Sequence, residues 1–95
     1  MSDLPDFHSL HAAIPQSNAE PLTWHDTTQR FARVRIIQHT CDCQPKVYEL
    51  CTSAGLTWIR ATERSPTKPT IQETHPCSTN LAHELWQKVL TGRAT

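Results

Sequence analysis

Three short runs of β-forming residues, separated by two turn signals, are the feature that most constrains the fold of this chain. The runs cover residues 31–40, 46–51 and 56–62, and each is rich in β-branched or aromatic side chains. Pro45 marks the first turn because proline cannot donate to a strand ladder, and Gly55 supplies a positive φ in the second. Short loops between successive strands predict an antiparallel meander.

A single helix is predicted after the strands. Residues 70–74 alternate weakly and predict a short fourth strand at a sheet edge. Residues 78–90 combine a polar N-cap with apolar side chains at i and i+4, and Gly92 stands where a helix often ends. The predicted fold class is therefore α+β, a three- to four-stranded antiparallel β-meander over residues 31–74 that is packed by one C-terminal α-helix.

The predicted core follows from the alternation of side chains in the strands and the apolar stripe of the helix. In the first strand, alternation separates Val34 and Ile36 from the exposed arginines. Tyr48 and Trp58 belong either in the core or at its margin. The sequence does not fix the hairpin register, and a one-residue change of register would exchange the faces of these two side chains. The predicted core comprises Val34, Ile36, Leu50, Ile59, Leu81, Leu85, Trp86 and Val89.

Residues 1–29 differ in charge from the rest of the chain. They contain four acidic residues and no Lys or Arg, whereas residues 30–95 contain nine basic and five acidic residues. The sequence thus predicts an acidic, proline-containing leader over residues 1–29, extended or partly disordered, and a small domain over residues 30–95. Leu22 and Trp24 are its predicted attachment points. The leader folds back on the domain or serves as a separate interaction tail, and the alternative is that both charged segments are simply solvated.

The sequence predicts a cytoplasmic protein that does not enter a membrane. No apolar run is long enough for a signal peptide or a membrane span, and the first residues are acidic where a signal peptide would be basic. In a reducing compartment, metal binding or simple burial explains cysteines better than disulfides do.

A metal site is the most specific local prediction. His39, Cys41 and Cys43 alternate in an extended segment and therefore project from the same side. The predicted zinc ligands are Cys41, Cys43, Cys51 and Cys77, with His39 and His75 as alternates. The alternative is that the cysteines are core residues or free thiols, since a CxC pair is a weaker zinc signature than paired CxxC motifs.

No pattern in the sequence indicates catalysis, so we expect a protein that is not an enzyme. Two glycines do not make a glycine-rich phosphate loop, and no paired carboxylates stand out. A nucleic-acid-binding sheet would use Arg33, Arg35 and Arg60 with Trp58 as a stacking group. The zero net charge and a pI of about 7.0 argue against that function.

The favoured function is a regulatory or protein-interaction module. A small sheet with open edges pairs readily with a strand of another protein, and a tryptophan outside the core provides contact area. Candidate partner-binding residues are Trp24, Trp58, Arg33, Arg35 and Arg60.

Residues 47–95 carry a resemblance to a known group of proteins. Tyr48-Glu49-Leu50-Cys51 is followed by Thr57-Trp58-Ile59-Arg60-Ala61-Thr62, then by a helix with Glu84-Leu85-Trp86 that closes at Thr91-Gly92. This order resembles small actinobacterial proteins encoded beside XRE-type helix-turn-helix regulators. Ala61 replaces the acid usual after the arginine, and the Cys41/Cys43 pair is absent from that pattern. The resemblance implies a companion of a DNA-binding regulator.

Overall fold

A computed structural model describes residues 11–26, 33–41, 43–65 and 67–95 as five strands and one helix. The elements are β1 (His25–Asp26), β2 (Arg35–His39), β3 (Lys46–Ser53), β4 (Leu56–Glu63), β5 (Thr70–Glu73) and α1 (Thr79–Leu90). All strand pairs are antiparallel in the order β1-β5-β4-β3-β2. The α+β prediction is confirmed, with one strand more than expected because β1 comes from the leader. In the described ranges, no helix is both long and apolar enough to cross a membrane.

The core lies between α1 and one face of the sheet. In the β3–β4 hairpin, Leu50 pairs with Ile59, and Tyr48 pairs with Ala61. All four side chains are buried, and the buried helix residues that pack against this face are Ala82, Trp86 and Val89. The predicted core residues Leu50, Ile59, Trp86 and Val89 are confirmed, and Leu85 is partly buried at its margin.

The prediction that Val34 and Ile36 enter the core is wrong. They are 39% and 45% exposed. Ile36 lies in the edge strand β2 on the face away from α1, and Val34 directly precedes that strand. Ile36 pairs with Cys51, which alternates with the core residue Leu50. A β-bulge at Ile37 then shifts the register, so that Gln38 pairs with Leu50 and faces the helix.

Leu81 was also expected in the core and is 49% exposed. The buried stripe of α1 runs through Ala82, Trp86 and Val89, at spacings of four and three residues. Leu81 precedes that stripe by one position, about 100° around the helix axis, and therefore lies at the margin of the buried face. The N-cap is Ser78, the first of three polar residues at the predicted helix start, and its side chain accepts a hydrogen bond from the Leu81 backbone N–H.

The described part of the leader packs along the end of the helix. Backbone N–H groups of Ala13 and Gln16 donate to the carbonyls of Leu90 and Gly92. Leu22 and Trp24 pack against the core, at the two attachment points that the sequence predicts. Farther along, Glu20 accepts a hydrogen bond from the Lys88 ammonium at 2.9 Å. Residues 11–24 thus fold back on the domain.

Position 92 requires a glycine for two reasons: its backbone φ is positive, and the leader passes too close to leave room for a side chain. Its φ is +76°, and a Cβ atom there would lie 2.6 Å from the backbone oxygen of Ile14. Gly55 has a similar φ of +80° but open space around it. We expect Gly55→Ala to cost about 1–2 kcal/mol of folding free energy from conformation alone. Gly92→Ala should cost more, because the leader must also move.

Thermal denaturation of the two glycine variants measures this difference. Amide hydrogen exchange at Ala13 and Gln16 should accelerate in Gly92→Ala and stay unchanged in Gly55→Ala. Equal destabilisation with unchanged exchange at both amides would show that the leader does not depend on the close approach at Gly92.

Candidate metal centre

His11, Cys41 and Cys43 bring three potential metal ligands together. The imidazole nitrogen and the two sulfurs all lie within 4.8 Å of one another, and His11 Nε2 is 3.1 Å from Cys43 Sγ. Cys41 is buried, whereas His11 and Cys43 are exposed. The group therefore lies at the surface with one sulfur anchored in the protein.

The loop that carries the two cysteines is fixed by hydrogen bonds at both ends. Thr40 N–H donates to the Tyr48 carbonyl, and Tyr48 N–H donates to Thr40 Oγ1, both at 2.9 Å. At the other end, Arg64 donates to the carbonyls of Pro45 and Gln44, each at 3.0 Å. The backbone on both sides of the two cysteines is therefore already positioned, which lowers the entropic cost of forming a metal site.

His11 is positioned by its neighbours in the leader. Ala13 N–H donates to the Leu90 carbonyl at 3.0 Å, and Gln44 Nε2 lies 3.5 Å from the Ala12 carbonyl oxygen. These contacts join the start of the described leader to the end of α1 and to the cysteine loop. A metal bound here would connect two parts of the chain that are distant in sequence, the leader and the loop that carries Cys41 and Cys43.

The three ligands suit a metal that prefers nitrogen and sulfur. In a tetrahedral zinc site, ligand distances of about 2.0–2.3 Å place the ligand atoms about 3.5–3.8 Å from one another. The spacing of the group is close to this, so small side-chain rotations would bring all three ligand atoms to bonding distance, and a water molecule would take the fourth position of the tetrahedron. The backbone N–H of Cys43 also lies 3.5 Å from Cys41 Sγ as a donor, a contact that stabilises a thiolate.

Cys51 and Cys77 do not join the group. Tyr48 lies beside the loop that carries Cys41 and Cys43. Cys51 lies three residues farther along β3, about 10 Å from Tyr48, and projects from the opposite face of the sheet. Cys77 pairs with Thr57, still farther from the loop. Hence the structure brings Cys41 and Cys43 together and separates them from the other two predicted ligands.

Burial explains the chemical state of the two separated cysteines. Burial raises the pKa of the Cys51 thiol to about 11, with a smaller opposing effect from the Arg60 charge. Burial also raises the pKa of Cys77. Both thiols are therefore protonated at neutral pH and are poor nucleophiles. All four cysteines are free of disulfides.

The predicted alternate ligands are also placed apart from the group. His39 is an exposed residue of β2, and its Nδ1 lies 3.0 Å from the Thr40 carbonyl oxygen. The His75 ring contacts the His25 ring at a tilt of 57°, with ring centroids 5.2 Å apart. Neither histidine is part of the three-ligand group.

The sheet face away from α1 holds a network around Glu73. Trp58 Nε1 donates to Glu73 Oε2 at 3.0 Å, and Arg60 Nε donates to the same oxygen at 3.1 Å. Glu49 lies 3.6 Å from the Arg60 guanidinium on its other side. Burial alone would lower the pKa of Arg60, but the Glu73 hydrogen bond and the neighbouring charges outweigh it and raise the pKa.

The candidate nucleic-acid residues do not form one surface. Trp58 is 2% exposed, so it presents no ring face to a base, and Arg60 is held by two carboxylates. Arg35 pairs with Thr52, whereas Arg60 pairs with Glu49, so the two arginines lie on opposite faces of the sheet. Arg33 is exposed just before β2.

Trp24 contributes to the margin of the core. Its ring lies 6.3 Å from that of Tyr48, and the Lys46 ammonium sits 5.8 Å and 5.3 Å from the two ring centroids. Trp24 is therefore a packing residue at the margin of the core, and its ring also forms a cation–π interaction with Lys46.

Sequence reasoning found the two cysteines and missed the histidine. Cys41 and Cys43 are close in sequence, but His11 lies 32 residues before Cys43 and reaches it only because the leader folds back. The sequence indicates Gly92 only as the end of the helix, and its close approach to Ile14 of the leader is seen in the structure alone. Comparisons of the chain with known protein families, with curated proteins and with solved structures gave no match.

Proposed function

We propose that this protein is a small, non-catalytic interaction domain stabilised by a zinc ion on His11, Cys41 and Cys43. The convergence of one imidazole and two thiols within 4.8 Å carries the metal part of the proposal. The donor set suits zinc, and a reducing compartment such as the cytoplasm keeps both thiols available. The ion serves the fold, because it would join the leader to the β2–β3 loop.

Zinc is expected to raise the melting temperature of the protein. A ligand that binds only the folded state at 100 times its dissociation constant adds about 2.7 kcal/mol of stability. For a domain of this size the shift is on the order of 10 °C. The measurement is differential scanning fluorimetry with buffered zinc or with a chelator, on protein purified without a metal-affinity tag.

Three variants assign the effect to residues. Cys43→Ser and His11→Ala remove exposed ligands, so each should lose most of the zinc-dependent shift. Cys77→Ser is the matched control, because Cys77 lies outside the group and should retain the shift. A shift that survives Cys43→Ser and is lost in Cys77→Ser would contradict the proposed ligand set.

The interaction part of the proposal is favoured by strand β2. This strand is at the end of the sheet, all five of its residues are exposed, and two of them are isoleucines. Exposed apolar edge strands are uncommon in monomeric proteins, because they template pairing with another chain. The resemblance of residues 47–95 adds a helix-turn-helix regulator as one class of partner.

A capture experiment tests the interaction function. Immobilised protein, incubated with native lysate, should retain a protein partner after nuclease treatment and at moderate salt. Recovery of nucleic acid alone, lost steeply as salt rises, would contradict the interaction function and favour nucleic-acid binding.

A further inference from the structure

The two edges of the sheet differ. At one edge, β1 pairs with β5 and covers it. At the other edge, β2 pairs only with β3, and no described residue pairs with its outer side. In an antiparallel edge strand, alternate residues direct their backbone N–H and C=O groups outward, where another strand can pair with them.

The two faces of β2 and of the residues before it carry different side chains, arginines on one face and apolar residues on the other. Arg35 lies on the α1 side, since it pairs with Thr52, and Arg33, two residues before it, would project the same way once an incoming strand extends β2 by two residues. Val34 and Ile36 project from the other face and are substantially exposed. The arginines form no ion pair with any described residue.

Side-chain contacts hold the strand in place, although no described residue pairs with its outer edge. Gln38 Oε1 accepts a hydrogen bond from Trp86 Nε1 at 2.7 Å, which ties β2 to the buried face of α1. Thr40, directly after the strand, is fully buried and hydrogen-bonded to Tyr48. An incoming strand would therefore meet an ordered template, which lowers the entropic cost of binding.

We propose that β2 binds an extended, acidic segment of a partner protein by strand addition, with acidic side chains opposite Arg33 and Arg35 and apolar side chains beside Val34 and Ile36. This inference rests on the interaction function proposed above and specifies its surface. Main-chain pairing supplies affinity, and the charge pattern supplies selectivity. A second copy of this chain is a poorer occupant, because it would bring four arginines onto one short ribbon.

Fluorescence anisotropy with labelled peptides tests the proposal. The probe is a short peptide that alternates glutamate with valine, and the control peptide has lysine in place of glutamate. We expect the acidic peptide to bind at least about tenfold more tightly. The double variant Arg33→Glu with Arg35→Glu should reverse this preference. Both sites are exposed, so the variant should fold normally.

A backbone-methylated peptide separates strand addition from charge attraction. Methylation of alternate amides keeps every carboxylate but removes the donors that a strand pair needs. We expect it to bind about tenfold or more weakly than the parent peptide, and the parent to slow hydrogen exchange in β2. Equal binding of both peptides, or no reversal in the double variant, would overturn the proposal.

The double variant also distinguishes failure of this proposal from failure of the interaction function. If the double variant still captures the partner that the wild-type protein captures from lysate, the partner binds elsewhere, and only the assignment of β2 as the binding surface is refuted. If the wild-type protein captures no partner and binds no peptide, both proposals fall. A concentration-dependent dimer of the wild-type protein that the double variant does not form would assign the edge to a second copy and would also overturn the proposal.

Discussion

Trp86→Ala is expected to lose about 3–5 kcal/mol of folding free energy, the range for truncating a buried large aromatic side chain. Trp86 has no exposed surface, lies in the centre of the α1 stripe and packs on the β3–β4 hairpin. It also supplies the hydrogen bond to Gln38 that holds β2. Domains have about 5–15 kcal/mol of total stability, so a loss of this size should lower the unfolding midpoint strongly, and a domain at the lower end of that range would unfold in much of the population.

Urea denaturation followed by far-ultraviolet circular dichroism measures the loss. Trp24→Ala is the matched control, since Trp24 is the same residue type but only partly buried at the core margin. Trp86→Phe keeps most of the apolar contact and should lose about 1–2 kcal/mol, including the hydrogen bond. Similar unfolding midpoints for Trp86→Ala and Trp24→Ala would show that α1 is not held by Trp86.

Glu73→Leu is expected to lose about 3 kcal/mol, because it leaves two donors without their acceptor in a buried setting. Glu73 is buried, and a single carboxylate oxygen accepts from both Trp58 Nε1 and Arg60 Nε. The Trp58 N–H has no exposure to water that would replace this bond. Arg60 retains contact with Glu49 and with solvent, so the loss of its hydrogen bond to Glu73 contributes less to the destabilisation.

Glu73→Gln is the control for this variant, since its amide oxygen can still accept from both donors. We expect it to lose less than half as much stability as Glu73→Leu, because both hydrogen bonds remain. Thermal melts of the two variants measure the difference. If Gln and Leu at this position destabilise equally, the network stabilises through charge and not through the hydrogen bonds.

The β3–β4 hairpin and the helix were predictable from the sequence because each is locally encoded. The β-rich runs around Gly55 fix one hairpin, and Ser78 with Gly92 bound the helix. Local patterns also gave the α+β class. The register of the hairpin followed only from the structure, which buries Tyr48 and Trp58 on opposite faces.

The faces of β2 were not predictable from alternation alone. Val34 and Ile36 share a face as predicted, but the helix covers the other one. The bulge at Ile37 then places Gln38 beneath Trp86. A polar residue in that position is stable because the indole N–H satisfies it, and such a pair between distant residues leaves no periodic signal.

The candidate metal site was predictable in part. The CxC pair indicated a metal ligand set through its residue types and its shared face. Its third member, His11, belongs to a segment without regular secondary structure, and contacts with the helix end and Gly92 place it. Those contacts depend on backbone hydrogen bonds, which residue periodicity does not record.

Titration with Co²⁺ under anaerobic conditions tests the metal centre most directly. Thiolate ligation gives cobalt an intense ligand-to-metal absorption in the near ultraviolet, and tetrahedral coordination gives visible bands. We expect both in the wild-type protein at about one ion per chain, and displacement by zinc. Cys43→Ser should weaken the thiolate band, whereas Cys77→Ser should keep it. No thiolate absorption in the wild-type protein, or its loss in Cys77→Ser alone, would contradict the assignment of His11, Cys41 and Cys43.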